Sequence, residues 1–156
     1  VRDRIRFLKH LQIQMPTSEQ LRVILGELRE MLSAHPKVLP DTISVRLVDI
    51  EAATAVFRID AGIMTTDYQT YLAIAEDLNL RSIETVHENG AIFSGPGQVL
   101  QVRDFHKASE ETMSEVTAKL DGWRDSQQLP FPDVSEERKT EIEGSLIYPP
   151  AGSPDR

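Results

Sequence analysis

The chain has 156 residues, 40% of them hydrophobic, and a formal net charge of −8, so it can form one domain with a modest core plus an appendage. The negative charge argues against nucleic acid as a partner, and the lack of cysteine excludes disulfides and thiolate chemistry. No apolar run approaches the roughly 20 residues that cross a bilayer, and no signal-peptide pattern follows the charged start.

The first part of the chain has a strand pattern followed by a helix pattern. Apolar residues occupy alternate positions in residues 4–14, which predicts a half-buried strand that Pro16 ends. Thr17 and Gln20 have the spacing of a capping box, and His35-Pro36 ends the helix because the residue before proline disfavours the α conformation. The helix carries one apolar stripe: Leu21, Ile24, Leu25, Leu28, Met31 and Leu32.

Two more strands follow a turn at Pro40-Asp41. Apolar residues alternate in residues 43–47 and again in residues 55–61, with a hairpin connection at residues 49–52. This pattern predicts a pair of antiparallel strands.

A second capping-box pattern at residues 66–69 predicts another helix, which ends at Asn89-Gly90 in a left-handed cap. Residues 91–93 predict a short fourth strand. The helix is expected to bury Tyr71, Leu72, Ala75, Leu78, Ile83 and Val86.

The order β-α-β-β-α-β predicts an α+β fold, the ferredoxin-like sandwich with both helices on one face of an antiparallel sheet. Leu8 and Val56 should then lie on the open face, where apolar residues favour contact with a neighbouring subunit, although scattered apolar surface residues are also common. The predicted core consists of Phe7, Leu25, Leu28, Val45, Phe57, Ile59, Leu72 and Leu78.

Gly95-Pro96-Gly97 breaks the chain before a short extra strand. We therefore divide the chain into an α/β domain at residues 1–94, a linker with an oligomerisation strand at residues 95–103, and a C-terminal extension at residues 104–156. A strand outside its own sheet needs partners for its N–H and C=O groups. The candidate interface residues on it are Gln98, Val99, Leu100 and Val102.

The C-terminal extension is acidic, mostly helical and partly extended. Residues 104–156 have a net charge of −6, compared with −2 for residues 1–103. Met113, Val116, Leu120 and Trp123 form a narrow helical stripe. We expect this helix to dock on its own domain or on a neighbouring subunit, with Trp123 as the anchor, since short helices are marginal in water. A proline-rich run at residues 129–133 is extended, and Ser135 caps a further short helix.

No constellation in the sequence supports catalysis, a cofactor or a metal. None of the four histidines (His10, His35, His87 and His106) has a second ligand at i+3 or i+4. Adjacent carboxylates such as Glu76-Asp77 point to different sides of a helix and are expected to be solvated. Arg2, Arg4, Arg6 and Lys9 form a basic cluster on the first strand.

The segment TTDYQTYLAIAEDLNLR at residues 65–81 resembles the second helix of the cytoplasmic domain in the small-conductance mechanosensitive channel (MscS) family. REMLSAHPKV at residues 29–38, GPGQVLQV at residues 95–102 and RDRIRF at residues 2–7 support this resemblance. It implies a non-enzymatic, soluble piece of a channel from the cytoplasmic side of the bacterial inner membrane. Contact with the membrane would come only through N-terminal segments that this chain lacks.

By this resemblance, the intact protein is a homoheptamer that opens under membrane tension and releases ions and small solutes during hypo-osmotic shock. The domain would form the wall of a cytoplasmic cage and act in assembly, solute filtering and gating modulation. The strand at residues 98–102 would join a small barrel at the cage floor. The alternative is a stand-alone ferredoxin-like regulatory module that binds a small ligand or a protein partner, and such a module has no use for an orphan strand.

Overall fold

The computed structural model describes residues 4–94 and 108–154. Its helices and strands in this part of the chain are β1 (Ile5–Gln14), α1 (Ser18–Ala34), β2 (Val38–Glu51), β3 (Thr54–Ile63), α2 (Tyr68–Glu88), α3 (Glu110–Asp125) and α4 (Glu136–Ile142). None of the described helices combines the length and the apolar character that a membrane crossing requires.

The three strands form one antiparallel sheet in the order β1-β3-β2. In the register, Phe7 pairs with Ala61 and Val45 pairs with Ile59. Side chains alternate between the faces of a sheet, and α1 and α2 pack on the face that carries these residues. The predicted α+β class is therefore confirmed.

The predicted fourth strand is much shorter than a sandwich of four full strands requires. Among the described residues, it contributes one isolated antiparallel bridge, between Phe93 and Ile13. Gly90 has a positive φ of 80° immediately before it, and the described part of the domain ends at Ser94.

β2 is longer than the alternation in the sequence predicts. The chain does not turn at Pro40-Asp41 but stays extended from Val38 onwards. These two residues lie within an irregularity of the pairing with β3, between Leu39 and Ser44. The strand lies at the edge of the sheet, where a proline leaves no ladder hydrogen bond unmade. The turn prediction was therefore wrong.

The core confirms the predicted set with one exception. Phe57, Leu28, Ile59 and Leu78 are at most 1% exposed, whereas Leu72 is 41% exposed. On α2, Ile74 is buried in its place, and the predicted Ile83 is 40% exposed. The buried face of this helix consists of Ile74, Ala75, Leu78, Ser82 and Val86.

The helix caps agree closely with the sequence. Thr17 and Gln20 form both hydrogen bonds of the capping box at α1, which ends with His35 as its C-cap. At α2 the N-cap is Asp67, which accepts a hydrogen bond from the N–H of Thr70 at 2.9 Å, one residue later than the predicted pattern begins.

Candidate functional site

The open face of the sheet carries two of the predicted interface residues. Leu8 on β1 is 43% exposed, and Val56 on β3 is half-buried. Leu8 pairs with Asp60 and Val56 pairs with Gln12, so the two lie four positions, roughly 13 Å, apart along the strands. They do not form one continuous apolar patch, and a role for either at a subunit interface stays a prediction.

The surface around and between these two residues is polar and mainly basic. Nε and Nη2 of Arg6 donate to the two carboxylate oxygens of Asp60 at 2.9 and 2.6 Å, and this pairing lowers the pKa of Asp60. Arg58 on β3 lies opposite His10 of β1 and Arg46 of β2. The sequence showed the basic residues of the first strand, but only the register brings Arg58 and Arg46 beside them.

Four other predicted interface residues lie outside the described residues. These are Gln98, Val99, Leu100 and Val102, and their pairing between subunits stays a prediction.

The remaining predicted interface residue, Trp123, belongs to a tail helix that packs on its own domain. α3 places Val116 and Leu120 against Val23 of α1, and all three side chains are at most 1% exposed. Trp123 and Leu129 pack, partly buried, against this small cluster. Val23 belongs to this small cluster, whereas the leucine and isoleucine residues of α1 belong to the main core. One side of α1 therefore packs on the sheet and another side packs on the tail.

A glycine permits the contact between Trp123 and α1. A Cβ atom at Gly26 would lie 2.9 Å from the Trp123 ring and 2.8 Å from Cγ of Pro130, which is inside the contact distance of carbon atoms. Only glycine allows both rings to lie this close to the helix axis. The signal in the sequence is a lone glycine within a helical pattern, which indicates a close approach but not the partner.

Polar side chains from α1 and α2 also hold α3. Nζ of Lys119 donates to Oδ1 of Asn89 at 2.9 Å and lies 3.2 Å from Oε2 of Glu27. Asn89, the buried C-cap of α2, donates in turn to Glu27 and to the Thr85 carbonyl, both at 2.8 Å. Its own carbonyl accepts from Nε2 of Gln20 at 2.9 Å. Three helices therefore meet at one asparagine.

Arg29 links the tail to the outer edge of β2. This side chain is buried, and its Nη1 and Nη2 donate to the carbonyls of Pro130 and Val45, both at 2.8 Å. Its guanidinium carbon lies 4.4 Å from the centre of the Phe131 ring, which is a cation–π distance. Burial, followed by repulsion from Arg46, lowers the pKa of Arg29 to about 10, so the side chain remains cationic at neutral pH.

Two further cations hold the tail along the same edge. Arg46 binds the carboxylate of Asp133 at 3.1 and 2.8 Å, and this hydrogen bonding lowers the pKa of Asp133. Lys139 of α4 donates to the Pro40 carbonyl at 3.1 Å. An exposed edge strand is a site for unwanted pairing, and here the chain's own tail lies against it.

The end of the tail packs on a buried histidine. Nδ1 of His35 accepts from the N–H of Lys37 at 3.1 Å, so Nε2 carries the proton and donates to Oδ2 of Asp77 at 2.9 Å. The ring of Tyr148 lies 5.2 Å from the histidine ring. Burial lowers the pKa of His35, although the hydrogen bond to Asp77 opposes this shift. The sequence indicated only a histidine at a helix end and a solvated carboxylate.

Arg81 completes this contact from the middle of α2. Its Nε donates to Asp77 at 2.8 Å, and its Nη2 donates to the Ile147 carbonyl at 2.9 Å. The N–H of Leu146 donates to the Ala34 carbonyl at 3.2 Å. These contacts hold residues 146–148 of the tail against the C-terminal end of α1 and the middle of α2.

The polar clusters link segments of the fold and do not resemble a reaction centre. Across residues 4–94 and 108–154, no group of three or more His, Asp or Glu side chains is placed to hold a metal ion. The polar groups of the buried His35, Asn89 and Arg29 are hydrogen-bonded to neighbouring side chains or to main-chain groups. The arrangement stabilises contacts between segments.

A protein-family profile described as the C-terminal part of the mechanosensitive ion channel MscS matches residues 10–93, which is more than half of the chain. This chain belongs to the MscS mechanosensitive channel family. It is 35% identical over 91 residues to an uncharacterised MscS family protein of Aquifex aeolicus, a match that covers 58% of this chain and 25% of that protein.

Solved structures of an MscS-like channel share the fold. A cryo-EM structure of Arabidopsis thaliana MSL1 aligns with a TM-score of 0.56 at 15% identity, over 60% of this chain and 34% of that one. A wild-type MSL1 structure gives 0.54 at the same 15% identity, over 58% and 32%. The chain thus spans about a quarter of its curated relative and a third of MSL1.

The MscS match includes both main helices and the sheet except for the first half of β1, but not the tail. It ends at residue 93, before α3 and α4. The residues of the domain that receive the tail, such as Gly26, Arg29 and His35, lie inside the match, whereas Trp123 and Tyr148 lie outside it.

Proposed function

We propose that this chain forms part of the wall of the cytoplasmic vestibule in a bacterial mechanosensitive channel. The observation that carries the proposal is the MscS family match over residues 10–93, and the fold shared with MSL1 supports it. The family is one of ion channels and not of enzymes. The intact protein would be a homoheptamer in the inner membrane that releases ions and small solutes on hypo-osmotic shock.

In this setting, the domain would act in assembly, solute filtering and gating modulation. A wall must keep its shape when the pore moves, and the continuous packed core under the sheet suits that requirement. The tail suits it as well, because it lies against the outer edge of β2. The predicted strand at residues 98–102 would pair between subunits at the cage floor.

Expression of the whole protein in a bacterial strain that lacks mechanosensitive channels tests this function. We expect survival of hypo-osmotic shock and tension-gated currents in membrane patches. A protein that reaches the membrane but gives neither result would contradict the proposal. Chemical crosslinking of the purified protein should give a ladder of bands that ends at seven subunits. A ladder with a different end point would contradict the proposed heptamer but not the channel function.

Deletion of residues 98–102 from the whole protein tests the assembly role. The crosslinked ladder should shorten or inactivation should change, while the sandwich stays folded by circular dichroism. A matched control deletes residues 149–154, which lie beyond the His35 contact and should leave assembly unchanged. Unfolding of the domain on deletion of residues 98–102 would mean that this segment belongs to the local sheet.

A further inference from the structure

The end of the tail lies directly on the buried His35. The N–H of Leu146 donates at 3.2 Å to the last carbonyl of α1, and a side chain of α2 donates at 2.9 Å to the carbonyl of Ile147. The ring of Tyr148 lies 5.2 Å from the histidine ring, centre to centre. These contacts help to keep water from the histidine, which is only 1% exposed.

Both ring nitrogens of His35 have partners that suit the neutral imidazole. Nδ1 accepts from the N–H of Lys37 at 3.1 Å, and Nε2 donates to Oδ2 of Asp77 at 2.9 Å. A second proton can be added only at Nδ1, where it would face the N–H of Lys37. Because two donors cannot share a hydrogen bond, the charged form requires the ring or the turn after α1 to move.

The groups around the ring act on its charge in opposite directions. Asp77 and the C-terminal end of α1 favour the imidazolium, whereas Arg81 and Lys37 repel it. Oδ2 of Asp77 also accepts from Nε of Arg81 at 2.8 Å, so its charge is shared. Tyr148 faces the ring from the tail and stays neutral, since burial raises its pKa. Burial has the largest effect on His35 and lowers its pKa below 6.5.

The segment over His35 is held less firmly than the rest of the tail. α3 buries Val116 against α1. In contrast, Leu146 and Tyr148 are only half-buried and Ile147 is exposed. α4, which precedes the segment, has no buried side chain. Parts of a protein with few buried apolar contacts open at the lowest free energy, so the end of the tail can detach alone.

We propose that protonation of His35 releases residues 145–154 from the domain, while the sheet, α1, α2 and α3 stay folded. Release lets water reach the ring and frees Nδ1 to carry the proton. A proton favours the state in which the pKa is higher, and here that is the released state. Docking is therefore complete above pH 6.5 and weakens as the pH falls from there through the lower pKa of the docked state. This inference does not depend on the channel function.

Release would also open a cleft beside α1. The cleft has a volume of about 310 Å³ and lies between α1, α2 and α4, with Met31 and Leu146 on its walls. Since Leu146 leaves with the released segment, protonation would uncover part of the apolar surface of α1. The surface that this helix presents to other molecules would then depend on pH.

Amide exchange of the 156-residue chain, together with an NMR titration of His35, tests the proposal. The opening constant of the Leu146 amide, corrected for intrinsic exchange, should rise roughly threefold or more from pH 7.5 to pH 5.5 and follow the His35 titration. The amides of Val116 in α3 and Phe57 in β3 should stay protected. An opening of Leu146 that does not change with pH, or that occurs together with Val116, would overturn the proposal.

A neutral substitute for the histidine tests the origin of the pH dependence. His35→Gln should abolish the rise in Leu146 opening, because no group titrates at that position. His10→Gln, the matched control at an exposed histidine, should keep the full rise. If the rise persists in His35→Gln, a different group controls the tail and the proposal is wrong.

The reciprocal effect is a test that leaves His35 in place. If protonation weakens docking, weaker docking must favour protonation, so Tyr148→Ala should raise the pKa of His35 towards 6.5. Tyr68→Ala is the matched control, because this tyrosine of α2 is 60% exposed, and it should leave that pKa unchanged. An unchanged pKa of His35 in Tyr148→Ala, or an equal rise in both variants, would contradict the proposed link.

Discussion

The domain at residues 4–94 and the tail at residues 108–154 are stabilised in different ways. One continuous apolar core joins the sheet to α1 and α2, and it includes fully buried large side chains such as Phe57 and Leu78. The tail shares one small cluster, around Leu120, with Val23 of α1, and only its partly buried Phe131 and Tyr148 reach the main core among the described residues. It is otherwise held by separate contacts of single side chains, at Gly26, Arg29 and His35.

This difference predicts different consequences of mutation. Loss of a core side chain destabilises every element that shares the core, whereas loss of one tail contact removes only that contact and its neighbours. The family match follows the same division, since it covers residues 10–93 and stops before the tail. The following substitutions test the comparison, from the largest expected effect to the smallest.

Phe57→Ala should lower the free energy of unfolding by roughly 3–5 kcal/mol, because it removes a fully buried aromatic side chain at the centre of β3. Urea denaturation followed by far-UV circular dichroism measures this loss. A cost below about 1 kcal/mol would mean that the third strand does not lie over the core as described.

Gly26→Ala should cost about 1–3 kcal/mol, since the new methyl group would overlap the Trp123 ring and Pro130. Alanine otherwise favours a helix by about 1 kcal/mol, so the cost of the overlap exceeds the measured net loss by about that amount. Trp123 is the only tryptophan in the sequence, and its emission should shift to longer wavelength while the circular dichroism of the domain is retained.

Gly122→Ala is the matched control for this substitution. Gly122 lies in α3, and no described atom beyond its chain neighbours and the helix's own backbone lies within 4 Å of a Cβ placed there. This variant should be neutral or slightly stabilising. If both glycine variants behave alike, the close contact between the tail and α1 does not exist in solution.

The buried His35 should make stability dependent on pH. Its pKa lies below the ordinary value of 6.5 in the folded chain, so the unfolded chain binds the proton more readily. Stability is therefore complete above pH 6.5 and falls as the pH decreases from 6.5 through the lower folded-state pKa. Urea midpoints at pH 7.5 and pH 5.5 should differ more for the wild type than for His35→Gln.

The exposed His10 provides the control for pH. His10→Gln should keep the full difference between the two midpoints, because that residue is not buried. Carboxylates such as Glu30, whose pKa is raised by burial, contribute equally to all three proteins. A His35→Gln variant with the full pH dependence would contradict the assignment.

Leu8→Ser should change the stability of the isolated chain by less than about 0.5 kcal/mol, because the side chain is exposed. In the whole protein, the same substitution should weaken assembly if Leu8 lies at a subunit interface. Urea denaturation of the isolated chain measures the change in stability, and sedimentation of the whole protein, wild type and variant, measures the change in assembly. Unchanged assembly would remove Leu8 from the interface.

The sequence predicted most of the domain because its signals are local. Caps at Thr17 and Gly90 and the period-two alternation around Phe57 depend on neighbours within a few residues. The phase of α2 was less certain for a physical reason. Apolar residues such as Leu72, Ile74 and Ile83 lie on more than one side of this helix, so the pattern alone does not select the buried face.

The contacts of the tail could not be predicted in the same way. The sequence indicated a helix that must dock through Leu120 and Trp123, but it left open whether the surface belongs to the same chain. The pairs Arg46–Asp133 and His35–Tyr148 join residues far apart in sequence, and no local pattern marks either pair. Such contacts follow only from the three-dimensional path of the chain.

Native-state amide exchange of the full chain tests the division between domain and tail most directly. We predict that the amides of α3 exchange through an opening of lower free energy than those of β3. Gly26→Ala should lower the α3 value further and leave the order of the two unchanged. If α3 and β3 open together at the same free energy in both proteins, the tail is part of one cooperative core and the account is wrong.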